Sequence, residues 1–466
     1  MPRADAALRP QIGRGEANPA LSMGIRPATN SAACSVRREP LRCCIRPTRV
    51  RFLAFAFVLT LVAAACGGDD APGSDSPIAT GSTPAGIALP VTGGVARAGV
   101  RSDAPVSTLA AGWNDAGFDL LRQEPLADNV VFSPASIGHA LLMAAAAGDE
   151  ATRAAIETAL GLPDGAHDAW NAIDHQIADS QSDQVTVAVA DRIWPRAGVE
   201  PDQAWIDLLA SHHGADVVPL DYPTDVDGSR KTINEWVSER TEGLIPELLP
   251  DGFISPQTVL VLTDTLYFAA DWARPFGKYG PVEGTFTTYD GTEVAVSFMH
   301  ELELDDRRGR GDGFVGAEIP YAGDDYSMLV VVPDEGRYDE FVERLDQQLL
   351  DEIDRSFTTG PYELLLPKWK DRYQLDLIDW LTDVGAAPGS YPSITPDAFL
   401  DAAVHAADIS VDERGTVAAA ATALGFAESG PPQPELTVAA DRPFIYLIRH
   451  RPSGLVLFAG HVTDPS

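Results

Sequence analysis

Cysteine is almost missing from this chain of 466 residues. Cys34, Cys43, Cys44 and Cys66 are the only four, and all stand in the first 66 positions. The long remainder therefore has no disulfide available, and its stability has to come from a hydrophobic core. Positive charge is also scarce. There are 34 Lys and Arg against 68 Asp and Glu, a formal charge of −34. No basic cluster lies in the body of the chain, so nucleic acid, other polyanions and anionic membrane surfaces are excluded as partners. The motifs of common catalytic sites are missing too: no nucleophile elbow, no P-loop, no dinucleotide fingerprint. "HELEL" from His300 lacks the second histidine of a zinc-protease helix, and the pair His212 and His213 reads as a solvated loop without a metal-ligand set. Neither a metal nor any other cofactor is expected, and no enzymatic activity. No internal repeat is visible.

Long apolar runs are missing except near the start. "RVRFLAFAFVLTLVAAACGGDD" places basic residues before an apolar run, Phe52 to Ala65, too short for a membrane span and suited to a secretory signal. The small residues before Cys66 resemble the signal of bacterial lipoproteins, in which that cysteine is lipidated and becomes the first mature residue. Ala63 departs from that pattern, and a plain signal peptide cut elsewhere is the alternative. Residues 1–65 are thus expected to be a targeting segment, with 1–49 read as a misassigned start ahead of Val50. The Gly-, Ser-, Pro- and Asp-rich stretch 66–100 reads as a flexible tether. One large domain, 101–466, is expected to follow.

Within that domain, "SPASIGHALLMAAAAG" has Ser133 as N-cap, Pro134 at the first helical position and Gly148 as a stop. It is apolar nearly all round and should be buried. "DEATRAAIETALGL" and "TINEWVSERTEGLI" read as two further helices. Residues 258–272, 326–336 and "YELLLPKW" read as strands of a sheet interior, and "PFIYLIRH", a Pro-Ser-Gly turn and "GLVLFAGHV" as a closing buried hairpin. The class is α+β, with helices early and strands late.

Residues 411–444, "VDERGTVAAAATALGFAESGPPQPELTVAADRPF", fit none of this easily. Local propensity makes "TVAAAATAL" a helix, yet it lies between two strands. As a strand it would put Thr416, Ala418, Ala420 and Thr422 on one face, with Val417, Ala419 and Ala421 on the other. None carries a charge, so the run can enter a sheet interior without burying one. Gly415 offers backbone freedom for a hinge, and Glu413 and Arg414 mark a solvated base.

Taken in order, "NVVFSPASIGHALLM", "INEWVSERTEGLI", "LTDTLYFAADWARPF", "LLLPKWK", "VHAADISVDERGTVAAAATA" and "ADRPFIYLIRHRPSGLVLFAGHV" resemble the serpin family over nearly all of 105–466. The resemblance implies helices around a large central mixed sheet, with additional sheets and an exposed reactive-centre loop at about 413–436. It implies a secreted inhibitor of serine proteases that acts once. A protease cuts the loop and is held as an acyl-enzyme while the freed arm inserts into the central sheet. The hinge would be Glu413, Gly415, Thr416, Ala418, Ala419, Ala420, Ala421 and Thr422. Counting from it places the cut between Ser429 and Gly430, with Glu428 and Phe426 as alternatives. Ser429 implies an elastase-like or subtilisin-like target, and Phe426 a chymotrypsin-like one. Fourteen residue steps from Gly415 to Ser429 reach about 46 Å. The region under the opening sheet would comprise Ser133, Ser136, Asp264 and His405. Asp264 stands where the family usually has asparagine; it could still accept the bond from His405 and could favour its charged form, while a satisfied core histidine is the preferred reading. Val417 replaces a common glutamate. A monomer, touching a membrane only through a lipid, is implied. A non-inhibitory binding module of the same fold is the alternative; a secreted hydrolase would need a nucleophile motif that is not present.

Overall fold

A computed structural model describes residues 94–400, 402–416 and 434–466, all within the unit Ile78–Ser466. Cys66 and the run 417–433, with Ala418 to Thr422, Phe426, Glu428, Ser429 and Gly430, lie outside the described residues. The ordered fold already includes Arg97, ahead of residue 101: its guanidinium pairs with buried Asp174 at 2.6 Å.

Among the described residues, three sheets and the helices around them make an α+β fold. The central sheet has six strands in the order Trp369–Asp376, Val404–Val411, Gly415–Thr416, Leu260–Asp271, Val185–Pro195 and Asp216–Val217. It is mixed, because only the last pairing is parallel. A seven-stranded sheet carries the expected hairpin, Phe444–His450 and Leu455–Val462, buried at every position. A four-stranded sheet contains Tyr362–Pro367.

The core helix, Pro134–Ala145, begins where its sequence says it should. The Ser133 hydroxyl accepts the Ser136 N–H at 3.0 Å, and proline occupies the first turn. It packs against strands of two sheets, Leu260–Asp271 and Leu455–Val462, which is why nearly every face of it is apolar. The third expected helix is displaced. It runs Val226–Arg240, capped by Asp225, and stops before Glu242 and Gly243, both at positive φ. Val185–Pro195 is a long strand inside the region read as helical. Its partner across the ladder is Leu260–Asp271.

Candidate functional site: a split sheet and its hinge

Leu260–Asp271 and Val404–Val411 each have a full neighbour on their outer side. On the sides that face each other, the only pairing among the described residues is through Gly415–Thr416. Thr416 pairs with Val411 and Ala270, and Gly415 with Asp271. Below that point residues 260–269 and 404–410 are two lips of a slot, with no strand between them among the described residues. A narrow cleft lies there, lined by Ser133, Ser136, Asp264, Thr265, Val404 and His405, among others. An unpaired backbone edge inside a sheet is a template for a further strand.

The hinge already sits in the mouth of the slot. Thr416 is buried, and its hydroxyl shares a 2.7 Å hydrogen bond with the Tyr321 hydroxyl. The sequence reading has Thr416 turning inward only on insertion; here the first two strand residues are in place. Gly415 is needed for a different reason from the one expected. It is not among the glycines at positive φ, but a Cβ there would overlap the Ala270 carbonyl oxygen. Close backbone approach, not conformational freedom, excludes a side chain. Ahead of it the chain is tied down. Trp272 donates its indole N–H to the Asp412 carbonyl at 2.9 Å and its backbone N–H to Arg414 at 2.6 Å. Glu413 is half-exposed and pairs with Lys368 at 3.0 Å.

The structure brings Ser133, Ser136, Asp264 and His405 together at the slot. His405 accepts the Ser133 backbone N–H on Nε2 at 3.0 Å. Asp264 does not bond it. One Asp264 oxygen accepts the Ser136 hydroxyl, and the other meets His139 Nδ1 at 2.5 Å. Nor does Asp264 keep His405 charged: burial outweighs its pull and pushes His405 down to about 4. His405 is a neutral core acceptor.

An imidazole harder to protonate in the fold than in the unfolded chain makes acid favour unfolding. Its contribution is whole above pH ~6.5 and is lost as the pH falls through the folded value. Asp371, held up at about 6 by burial, acts in the opposite sense. The difference between wild type and His405→Gln isolates the histidine, since glutamine can still accept the Ser133 N–H. Between pH 7 and 4 wild type should lose roughly 3 kcal/mol more stability than the variant. Urea melts at each pH read this, and identical acid limbs would contradict it.

Sequence reasoning missed the groups beneath Asp264. His139, fully buried, stacks on Trp170 and bonds His213 Nδ1 through Nε2 at 2.8 Å; His213 then meets His167 at 2.8 Å. His213 is therefore not in a solvated loop. Burial holds it well below the ordinary histidine value. His212 alone lies toward solvent, 3.5 Å from Asp168. Asp191 sits directly across the ladder from Asp264, and burial, then Asp264, holds its carboxyl up. His300 lies in a strand, not a helix, 2.9 Å from Glu363.

A large sheet whose described strands leave a gap, entered at one end by the chain's own hinge, defines a protein with room to take up a further segment. Residues 111–465 match the model of the family Serpin (serine protease inhibitor). The chain belongs to the serpin family. It is 30% identical over 369 residues to Serpin-Z1 of Arabidopsis thaliana, covering 74% of this chain and 91% of that one. It is 29% identical over 370 residues to the leukocyte elastase inhibitor of Sus scrofa, covering 75% and 96%. The crystal structure of a thermophilic serpin, tengpin, in the native state superimposes with a TM-score of 0.70 at 23% identity, covering 79% and 96%.

Proposed function

We propose that the protein inhibits serine-type endopeptidases by a single-use mechanism, in which the loop beyond Thr416 is cut and then fills the slot. The observation that carries this reading is the hinge seated at the head of two unpaired lips. It leads the loop toward two strand edges that have no partner among the described residues. The small, uncharged residues from Ala418 to Thr422 support it, because a bulky or charged arm could not pass. The protein acts as a consumed substrate rather than a catalyst. The reactive bond is Ser429–Gly430, and the target enzyme accepts a small residue before the cut, as elastase-like and subtilisin-like proteases do. Similarity to an elastase inhibitor agrees with that class. Distortion of the trapped enzyme's active site by the moving arm stalls hydrolysis of the acyl bond.

The test is incubation with elastase-like, subtilisin-like and chymotrypsin-like proteases, followed by denaturing electrophoresis and mass analysis of the freed fragment. A covalent complex that survives denaturant, with a fragment starting at Gly430, is expected. Cleavage by every protease without a complex favours a non-inhibitory binding module. We further propose that the inhibitor works outside the cell, held to the bacterial membrane by lipid on Cys66. Among the described residues no helix is long and apolar enough to cross a membrane. Intact mass of membrane-extracted protein reads it directly, and an unmodified residue 66 rules it out.

A further inference from the structure

Three side chains from three elements converge under the central sheet. His139 comes from the core helix, Asp191 from Val185–Pro195 and Asp264 from Leu260–Asp271. One ligand-type atom of each lies within 4.8 Å of the other two. His139 Nδ1 is 2.5 Å from Asp264 Oδ2 and 3.4 Å from Asp191 Oδ1. The side chains of His139, Asp191 and Asp264 are 0%, 3% and 2% exposed. Facing carboxylates on adjacent strands repel, and in a dry site that repulsion is strong. His139 Nδ1 hydrogen-bonds only one of them, Asp264. Asp191 Oδ1, aimed at the cluster, has no hydrogen-bond partner. A buried carboxylate oxygen left so is a ligand position waiting for a cation.

We propose that His139 Nδ1, Asp191 Oδ1 and Asp264 Oδ2 bind a divalent transition-metal ion of the zinc class. Imidazole and carboxylate suit such an ion, and two carboxylates match its charge. Ligand atoms around tetrahedral zinc stand about 3.3 Å apart, so the His139–Asp191 separation already fits. The His139–Asp264 contact must open by under about 1 Å. The outer partners are in place. The second nitrogen of His139 faces His213, and the second oxygen of Asp264 accepts from Ser136, the pattern that orients ligands in metal sites. The slot cleft reaches Ser136 and Asp264, on one side of the cluster. From the sequence no metal set was visible, because its members stand at 139, 191 and 264 and meet only through helix packing and strand register. A bound ion would tie the core helix to both strands on one side of the slot.

The test uses the purified chain, stripped with chelator and titrated with zinc chloride near pH 7.5. Equilibrium dialysis with metal analysis should give one zinc per chain, and zinc should raise the thermal midpoint. Asp191→Asn keeps the shape and leaves a neutral side chain at a buried position, so it folds; it should weaken zinc by more than about tenfold. Ser136→Ala should weaken it by about tenfold while keeping the ligands. Asp168→Asn, beside surface His212, should leave affinity unchanged. Cobalt substituted for zinc should give the visible absorption of a four-coordinate N/O site. No zinc on wild type overturns the proposal and leaves the cluster held by a proton. So does zinc that Asp191→Asn binds equally well, or that Asp168→Asn loses.

Discussion

Cutting the chain once between Ser429 and Gly430 should raise its thermal midpoint by more than about 10 °C, although a nick ordinarily loosens a protein. The reason lies in the lips 260–269 and 404–410, which have no partner on their facing sides among the described residues. A strand entering between them makes hydrogen bonds on both sides, each with a net value of roughly 0.5–1.5 kcal/mol. The sum is of order 10 kcal/mol before side-chain burial is added. In a domain this large each kcal/mol moves the midpoint by about 2 °C. Calorimetry before and after a mass-verified cut measures it. A midpoint that falls or stays still would mean that the arm does not enter, and would favour the binding-module reading.

Thr416→Arg should change the protein from an inhibitor into a substrate. Thr416 is 3% exposed, bonded to Tyr321 and paired on both sides. Arginine cannot remain there. An unpaired cation in that position costs several kcal/mol, and the Tyr321 hydroxyl, itself buried, loses its partner. The hinge leaves the sheet, and insertion then begins against a charge. Trapping is a race between insertion and hydrolysis of the acyl bond, and a slowed arm loses it. Cleavage at the reactive bond should continue near the wild-type rate while the denaturant-stable complex falls by more than tenfold. Val417→Arg is the control, since strand alternation directs that side chain the other way. Thr416→Val, which keeps the shape and loses only the hydroxyl, should cost about 1 kcal/mol and leave trapping largely intact. Wild-type yields of complex from Thr416→Arg would overturn the role given to the hinge.

The parts of this fold written in local chemistry were legible. Ser133 followed by Pro134 marked a helix start, and the closing hairpin showed two apolar runs about a Pro-Ser-Gly turn; both stand as read. The helix at Val226–Arg240 slipped because Asp225, its cap, lay outside the apolar pattern, and positive φ at Glu242 ended it early. Features that depend on register were not legible. Nothing local in "VTVAVADRIWP" says that Asp191 will face Asp264, or that His139 will lie under both. His213 looked solvated beside His212, yet one turn of helix buries the first and turns the second outward. Thr416 shows the same limit. Its small size said that it could enter a sheet, while its place in the slot follows from strands more than a hundred residues upstream.

Hydrogen exchange on the lips of the slot, 260–269 and 404–410, distinguishes an open strand position from a filled one. Backbone amides of Leu260–Ala269 and Val404–Ser410 that point into the slot should exchange readily in the intact chain, while those paired to the outer strands stay protected. After the loop is cut, the account predicts that protection appears along both lips together, beginning next to Thr416 and running down past Asp264 and His405. Lips already protected in the intact chain, or unprotected after a verified cut, would contradict it.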